Sequence, residues 1–179
     1  WGGPSVDLME AFGVKPTDAP NDRIDVDIRR KATIMMPGDV YPYFWRDHSL
    51  GNGQSGFEIL HFYFDKNYNP AATETFQGPC GAQNVKDVYL VLSEAQTLID
   101  GGQTTNAKAL ETFNAVRGRA ISGYTPKTSI TFDDVWKERR LEFAGEGDRW
   151  YDFVRRAYYE PSKCIEELKA QKRNAWWNL

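Results

Sequence analysis

Residues 138–156, ERRLEFAGEGDRWYDFVRR, hold the densest ionisable chemistry in the chain. Glu142 and Glu146 stand four residues apart. On a helix that spacing brings two carboxyls to about 5–6 Å, close to the separation of a retaining glycosidase pair. Gly145 intervenes and predicts a helix end, and the nearby arginines keep both acids ionised, so neither becomes a general acid. From Phe132 to Arg156 seven residues are acidic and six basic, so the two signs nearly cancel. They interleave with Trp136, Leu141, Phe143, Trp150, Phe153 and Val154, and cannot all face water. The favoured reading is a buried or half-buried carboxylate–guanidinium network, which fixes geometry more than it adds net stability. The corner Gly145-Glu146-Gly147 places an acid where Arg139 or Arg149 can satisfy it.

No other residues are spaced for covalent or metal chemistry. Cys80 and Cys164 have no histidine nearby in sequence, and no Gly-x-x-x-x-Gly-Lys phosphate loop occurs. Two cysteines cannot build a disulfide framework or a four-thiolate zinc site. His48 and His61 lack a His-Glu-x-x-His helix, and His61, set in an apolar run, reads as packing. No catalytic residue, metal or cofactor is assigned.

A second concentration of chemistry is aromatic. Tyr41, Tyr43, Phe44, Trp45, Phe57, Phe62, Tyr63, Phe64 and Tyr68 crowd one short stretch. Within it Tyr41, Tyr43 and Trp45 stand beside Arg46, Asp47 and Asn52 on a loop bounded by proline and glycine. Sugars offer apolar C–H faces that stack on such rings, and hydroxyls that need polar neighbours. These six residues are the candidate ligand site. The competing reading is that the rings fill an interface between the loop and the helices or a partner surface.

Two unlike stretches must position these groups. Residues 1–84 read as a loop-rich segment with short strands, and 85–179 as helical, both parts of one larger domain. Ser5 is placed to cap a short helix through Leu8, Met9 and Phe12, stopped by Gly13 and Pro16. Ile24, Val26 and Ile28 alternate with Asp25, Asp27 and Arg29, a half-buried strand pattern that Ile34–Met36 continues or returns. Residues 57–64, FEILHFYF, read as a second strand. Beyond residue 85, Val88, Leu92, Ala95 and Ile99 form one helical stripe, ended by Gly101-Gly102. Thr104 or Thr105 then caps a helix with Leu110, Phe113, Val116 and Ala120 on its inner face. Helices over 87–100 and 105–120, joined by that short connection, make an antiparallel hairpin of tetratricopeptide type. Thr131 opens a third helix with Asp133 and Asp134 in its first turn. A fourth runs from about Asp148 to Tyr159 and presents Trp150, Phe153 and Val154. Pro161 starts a fifth, which passes Ile165 and Leu168 toward Trp176.

Composition excludes several functions. Lysine plus arginine number 22 against 25 aspartates and glutamates, and a net charge of −3 lacks the basic excess of a nucleic-acid binder. No run approaches the roughly 20 apolar residues of a membrane-spanning helix. The chain opens on Trp1, and it is expected to be a piece of something longer.

The run at 138–156 resembles the C-terminal signature of the SusD/RagB family, Glu-Arg-x-x-Glu-x-x-x-Glu-Gly-x-Arg-x-x-Asp-x-x-Arg. Its positions fall on Glu138, Arg139, Glu142, Glu146, Gly147, Arg149, Asp152 and Arg155, all occupied as in the family. VKDVYLVLSEAQTLID is similar to a family helix that runs into Ala-Glu-Ala, here Ser93-Glu94-Ala95. ALETFNAVRGRA is similar to the Leu-x-x-x-Asn-x-Val-Arg-x-Arg helix, with Asn114, Arg117 and Arg119 in place. PSVDLMEAFGV and NDRID resemble the segment that precedes these.

The resemblance implies a mainly α, SusD-like fold built on tetratricopeptide-type hairpins, with the signature charges as scaffold. It implies a lipoprotein on the outer face of the outer membrane that captures oligosaccharides, or peptides in some branches. The partner it implies is a SusC-like TonB-dependent transporter, and the implied protein is not an enzyme. Membrane association would come only through a lipid anchor outside this chain, since neither Cys80 nor Cys164 opens it. Two other classes stand beside this one. An intracellular tetratricopeptide-type interaction module would need a basic clamp on its helix faces, and a carbohydrate-active enzyme would need hydrolysis dependent on Glu142.

Overall fold

The protein is described by a computed structural model covering residues 4–15, 17–19, 23–36, 40–41, 57–58, 63–64 and 83–172. Its elements in chain order are α1 (Val6–Ala11), α2 (Arg29–Thr33), β1 (Ile34–Met35), β2 (Val40–Tyr41), β3 (Phe57–Glu58), β4 (Tyr63–Phe64) and α3 (Gln83–Ile99). There follow β5 (Gln103–Thr104), α4 (Ala107–Gly118), β6 (Ile130–Thr131), α5 (Phe132–Glu142), α6 (Arg149–Ala157) and α7 (Pro161–Ala170). The architecture is mainly helical, as expected, with two-residue strands between the helices. The chain divides into two compact units. One comprises Trp1–Asp25, Arg29–Phe76 and Ala144–Leu179; the other comprises Val26–Ile28 and Gln77–Phe143.

The second unit is built on the α3–α4 hairpin, with α5 packed on α3. Leu90, Ala109, Phe113, Val116, Ile130, Val135 and Phe143 form its core. Where α3 crosses α4 the side chains are small and hydroxylic. Ser93 Oγ donates to the Tyr89 carbonyl at 2.9 Å and lies 2.9 Å from Thr112 Oγ1 and 3.1 Å from the Ala109 carbonyl oxygen. These bonds satisfy the hydroxyls where they are buried, so the crossing stays close without stranding a polar group. The inner face of α3 is therefore Leu90, Ser93, Glu94 and Thr97. The expected stripe faces the other way, with Val88 60% and Ile99 76% exposed. The choice of buried face follows from hydrogen bonds that hydrophobicity does not report.

The α4 cap also differs from expectation. Asn106 Oδ1 accepts from the backbone N–H groups of Lys108 and Ala109 at 3.0 and 3.2 Å. Thr104 is instead bound to Asp100 and accepts from the Asn106 N–H at 3.0 Å. Thr131 caps α5 as expected. Its hydroxyl accepts from the Asp134 N–H at 3.1 Å, while the Asp134 carboxylate accepts the Thr131 N–H at 2.9 Å. β5 and β6 pair antiparallel, Gln103 opposite Thr131 and Thr104 opposite Ile130, so the part expected to be wholly helical carries a short ladder. Val26–Ile28 is a strap rather than an amphipathic strand. Ile28 N–H donates to Ala120 O at 2.9 Å, and Ser122 N–H to Val26 O at 3.1 Å. Asp27 is 4% exposed while Ile24, Val26 and Ile28 face out, the reverse of the expected burial. Alternation fixes a period of two but not which face is covered.

In the first unit, Ser5 occupies the N-cap of α1 without a side-chain bond, and Gly13, at φ +85°, follows the helix end. β1 pairs antiparallel with β4, Ile34 opposite Phe64, and β2 with β3, Tyr41 opposite Phe57. The expected single strand over 57–64 thus contributes two short strands to two separate pairs. Arg30 is buried, with Nε on Asp25 at 2.6 Å and Nη1 on the Ile34 carbonyl at 3.2 Å. α6 buries Asp152, Phe153 and Arg156 but leaves Trp150, 62% exposed, and Val154 outward. α7 begins at Pro161 as expected and ends at Ala170; Trp176 and Trp177 lie outside the described residues. Lys172 Nζ bonds both Glu10 carboxylate oxygens at 2.8 Å, joining the end of α7 to α1.

Candidate functional site

The candidate ligand loop and the signature differ in how much of each is described. Tyr41 lies on β2, paired through the backbone with Phe57. Tyr43, Trp45, Arg46, Asp47 and Asn52 lie outside the described residues.

The signature begins on α5, whose sequence turns three ionisable side chains inward: Glu138, Arg139 and Glu142 are all buried. Glu138 accepts from Arg117 Nη1 of α4 at 2.6 Å. Glu142 accepts from Arg119, and Lys86 Nζ of α3 lies 3.5 Å away. Arg139 donates to Asp87 of α3 at 2.7 Å and stands 4.0 Å from Glu94. The Phe143 ring is flanked by two cations, with the Arg139 guanidinium 4.8 Å and the Lys86 ammonium 5.0 Å from its centre. Such contacts add to ion pairing where the cation is partly dehydrated. Glu138 and Glu142 of α5 thus bind cations of α3, of α4 and of the residue just beyond α4.

At the corner, Gly145 and Gly147 take φ values of +84° and +89°, a left-handed backbone that glycine adopts without penalty. Beyond it, Arg149 of α6 donates to Glu167 of α7 at 2.7 Å and lies 3.9 Å from Asp152. Its guanidinium stands 4.8 Å from the Phe153 ring centre. Arg155 donates to Asp152 at 3.0 Å. The neighbouring Arg156, which the signature does not include, is the more deeply buried and donates to Glu160 at 2.8 and 2.9 Å.

A further brace follows α4. Asn114 Nδ2 donates to the Lys127 carbonyl, and its Oδ1 accepts from the Lys127 N–H, each at 2.9 Å. The Tyr124 hydroxyl donates to the same Oδ1 at 2.6 Å, and burial pushes its pKa up. A Cβ at Gly118 would meet the Tyr124 ring at 3.2 Å, so the glycine leaves room for it. Lys127 Nζ in turn bonds Asp134 at 2.6 Å. Burial alone would raise the Asp134 pKa, but bonds from Lys127 and Thr131 outweigh it and hold the carboxyl below its ordinary value. Asn114 and Arg117 were legible as motif residues; Tyr124 and Lys127 carried no comparable signal.

These pairs suit holding helices together. Each described signature carboxylate on α5 is hydrogen-bonded to a guanidinium. Burial raises the pKa of the Cys164 thiol, which suppresses the thiolate. Among the described residues no group of three or more His, Cys, Asp and Glu is arranged to hold a metal ion. Among them, too, no helix is long and apolar enough to cross a membrane.

A mainly helical scaffold with a tetratricopeptide-like hairpin, tied by buried charge pairs, defines the class of protein. Within that class the chain belongs to the SusD family, whose model matches residues 2–175. A SusD-like protein of Bacteroides ovatus is 40% identical over 178 residues, covering 94% of this chain and 30% of its own length. Two solved structures each superpose with a TM-score of 0.66 at 26% identity over 96% of this chain. They are covered over 32% and 33% of their own length, and the second is a crystal structure with xylogluco-oligosaccharide. The chain thus spans about a third of the length of these relatives.

Proposed function

We infer that the protein is a glycan-binding lipoprotein of the cell surface, which captures oligosaccharides and passes them to a SusC-like TonB-dependent transporter of the outer membrane. One observation carries the reading: a relative that matches 96% of this chain was crystallised with xylogluco-oligosaccharide. Family membership supports the same conclusion from the sequence side. The protein binds and releases its cargo unchanged. Tyr41, Tyr43 and Trp45 supply stacking faces, and Arg46, Asp47 and Asn52 supply hydrogen bonds to hydroxyls.

Calorimetric titration of the full-length polypeptide against a panel of neutral oligosaccharides and peptides tests the ligand class, with xyloglucan fragments included. Saturable binding confined to oligosaccharides supports the reading; binding confined to peptides overturns it. Co-purification with a TonB-dependent transporter from outer membranes tests the delivery step.

A further inference from the structure

We propose that Arg30, buried at the root of an antiparallel arm, is a positioning residue for the candidate ligand loop and fixes the direction in which the arm presents it. The proposal rests on the reading that this loop binds sugar, and names what aims it.

The two ladders of the first unit are in step. β1 pairs with β4, Ile34 opposite Phe64 and Met35 opposite Tyr63, and β2 pairs with β3, Val40 opposite Glu58 and Tyr41 opposite Phe57. Four residues separate the ladders on each side, 36–39 and 59–62, so one register serves both. They are two stretches of a single arm, and its far ladder brackets 42–56. Tyr41 stands on that ladder, and Tyr43, Trp45, Arg46, Asp47 and Asn52 fall within the bracketed segment.

A hairpin with a two-residue turn is aimed by the turn itself. The segment 42–56 is far longer and holds Gly51 and Gly53, so the aim must come from the other end of the arm. At that end Ile34 and Met36, two residues apart, are both 0% exposed, which decides the face that β1 turns inward. Arg30 adds the direction. Its Nε and Nη2 grip the two Asp25 oxygens at 2.6 and 2.5 Å, while Nη1 holds the Ile34 carbonyl at 3.2 Å. A planar fork anchored on one carboxylate thereby sets the orientation of the first peptide of β1.

Leverage makes this matter. Residues 34–41 reach at most about 25 Å, so a tilt of about 10° at the root moves the far ladder by up to about 4 Å. A binding constellation needs its groups held within about 0.5 Å. Lysine at position 30 would keep the charge facing Asp25 but lacks the fork that reaches Ile34 at the same time.

Oligosaccharide binding separates positioning from stability. Arg30→Lys, Asp25→Asn, Trp45→Ala, the double variant Arg30→Lys/Trp45→Ala and the stability control Arg149→Ala, from the same unit, are made in the full-length polypeptide. Each is titrated calorimetrically with a xyloglucan oligosaccharide well below its melting temperature. Arg30→Lys is expected to weaken binding on the order of tenfold, as for a stacking ring moved off its partner, and Asp25→Asn to act in the same direction. Arg149→Ala should melt earlier yet bind as the wild type does. In the double variant the two losses should fall short of additive, because both pass through one loop. Unchanged affinity in folded Arg30→Lys beside weakened Trp45→Ala would overturn the proposal and leave the ligand reading standing. Fully additive losses, or a loss confined to Arg30→Lys, would also overturn it, since the effect would then bypass the loop. Binding absent from the wild type, or unchanged in both variants, removes the ligand reading and the proposal with it. If Arg30→Lys does not fold, Asp25→Asn, whose carboxylate is only half-buried, decides by the same comparison.

Discussion

Glu138, fully buried at 0% exposure, accepts a hydrogen bond at 2.6 Å from Arg117, a residue 21 positions earlier on α4. The pair ties α5 to the α3–α4 hairpin and makes an acid in the middle of a core tolerable. Removal of the cation leaves a buried carboxylate short of a strong donor. Arg117→Ala is therefore expected to lower stability by about 1.5–3 kcal/mol. Urea unfolding reads this as a lower midpoint at an unchanged slope. A midpoint equal to that of the wild type would show that the bond adds nothing.

On α6, Arg149 joins Glu167, Asp152 and the face of Phe153. Arg149→Ala should cost about 1–3 kcal/mol of stability, as for a charge-assisted bond with its partner stranded. Oligosaccharide affinity of the folded protein should stay as it was. Weakened binding at an unchanged melting temperature would assign Arg149 to the ligand site instead.

The capping box at the start of α5 gives a pH dependence. In the native protein Asp134 has a carboxyl pKa lowered by Lys127 and Thr131, which outweigh burial. The unfolded chain then binds the proton more readily, so stability rises with pH between the two values. The contribution is whole above the unfolded value of about 3.9 and is lost as pH falls through the native one. Asp134→Asn should flatten that acid limb and cost about 0.3–1.5 kcal/mol at neutral pH. An acid limb with the wild-type slope would place the sensitivity on another carboxylate.

The elements that could be read from sequence are those fixed by local chemistry. Thr131 and Asp134 cap one another within a single turn, Pro161 needs only its own ring to start α7, and Gly145 and Gly147 mark a left-handed corner. The helical period of α3 was equally local and legible. Its buried face was not, because Ser93 and Thr112 are inner residues by virtue of bonding one another across 19 positions. Arg30 escaped for the same reason: its partner Asp25, rather than hydropathy, makes it buriable. In the signature, residue identities were clear from the motif, but the partners of Glu138 and Glu142 were not. Those partners, Arg117 and Arg119, stand 21 and 23 positions away on or just beyond α4.

For the ligand loop the sharpest single substitution is Trp45→Ala. If the indole stacks on a sugar ring, its loss should weaken binding by about 1–3 kcal/mol, as for other stacked aromatic side chains. Wild-type affinity in a well-folded variant would move the stacking platform to other residues.

Calorimetric titration of the full-length protein with a xyloglucan oligosaccharide, followed by chromatography of the recovered sugar, tests most directly whether the protein binds oligosaccharide and leaves it unchanged, as proposed. Saturable binding with the sugar recovered intact is the predicted result. Absence of binding across a broad glycan panel, or recovery of shortened sugar that Glu142→Gln abolishes, would contradict it.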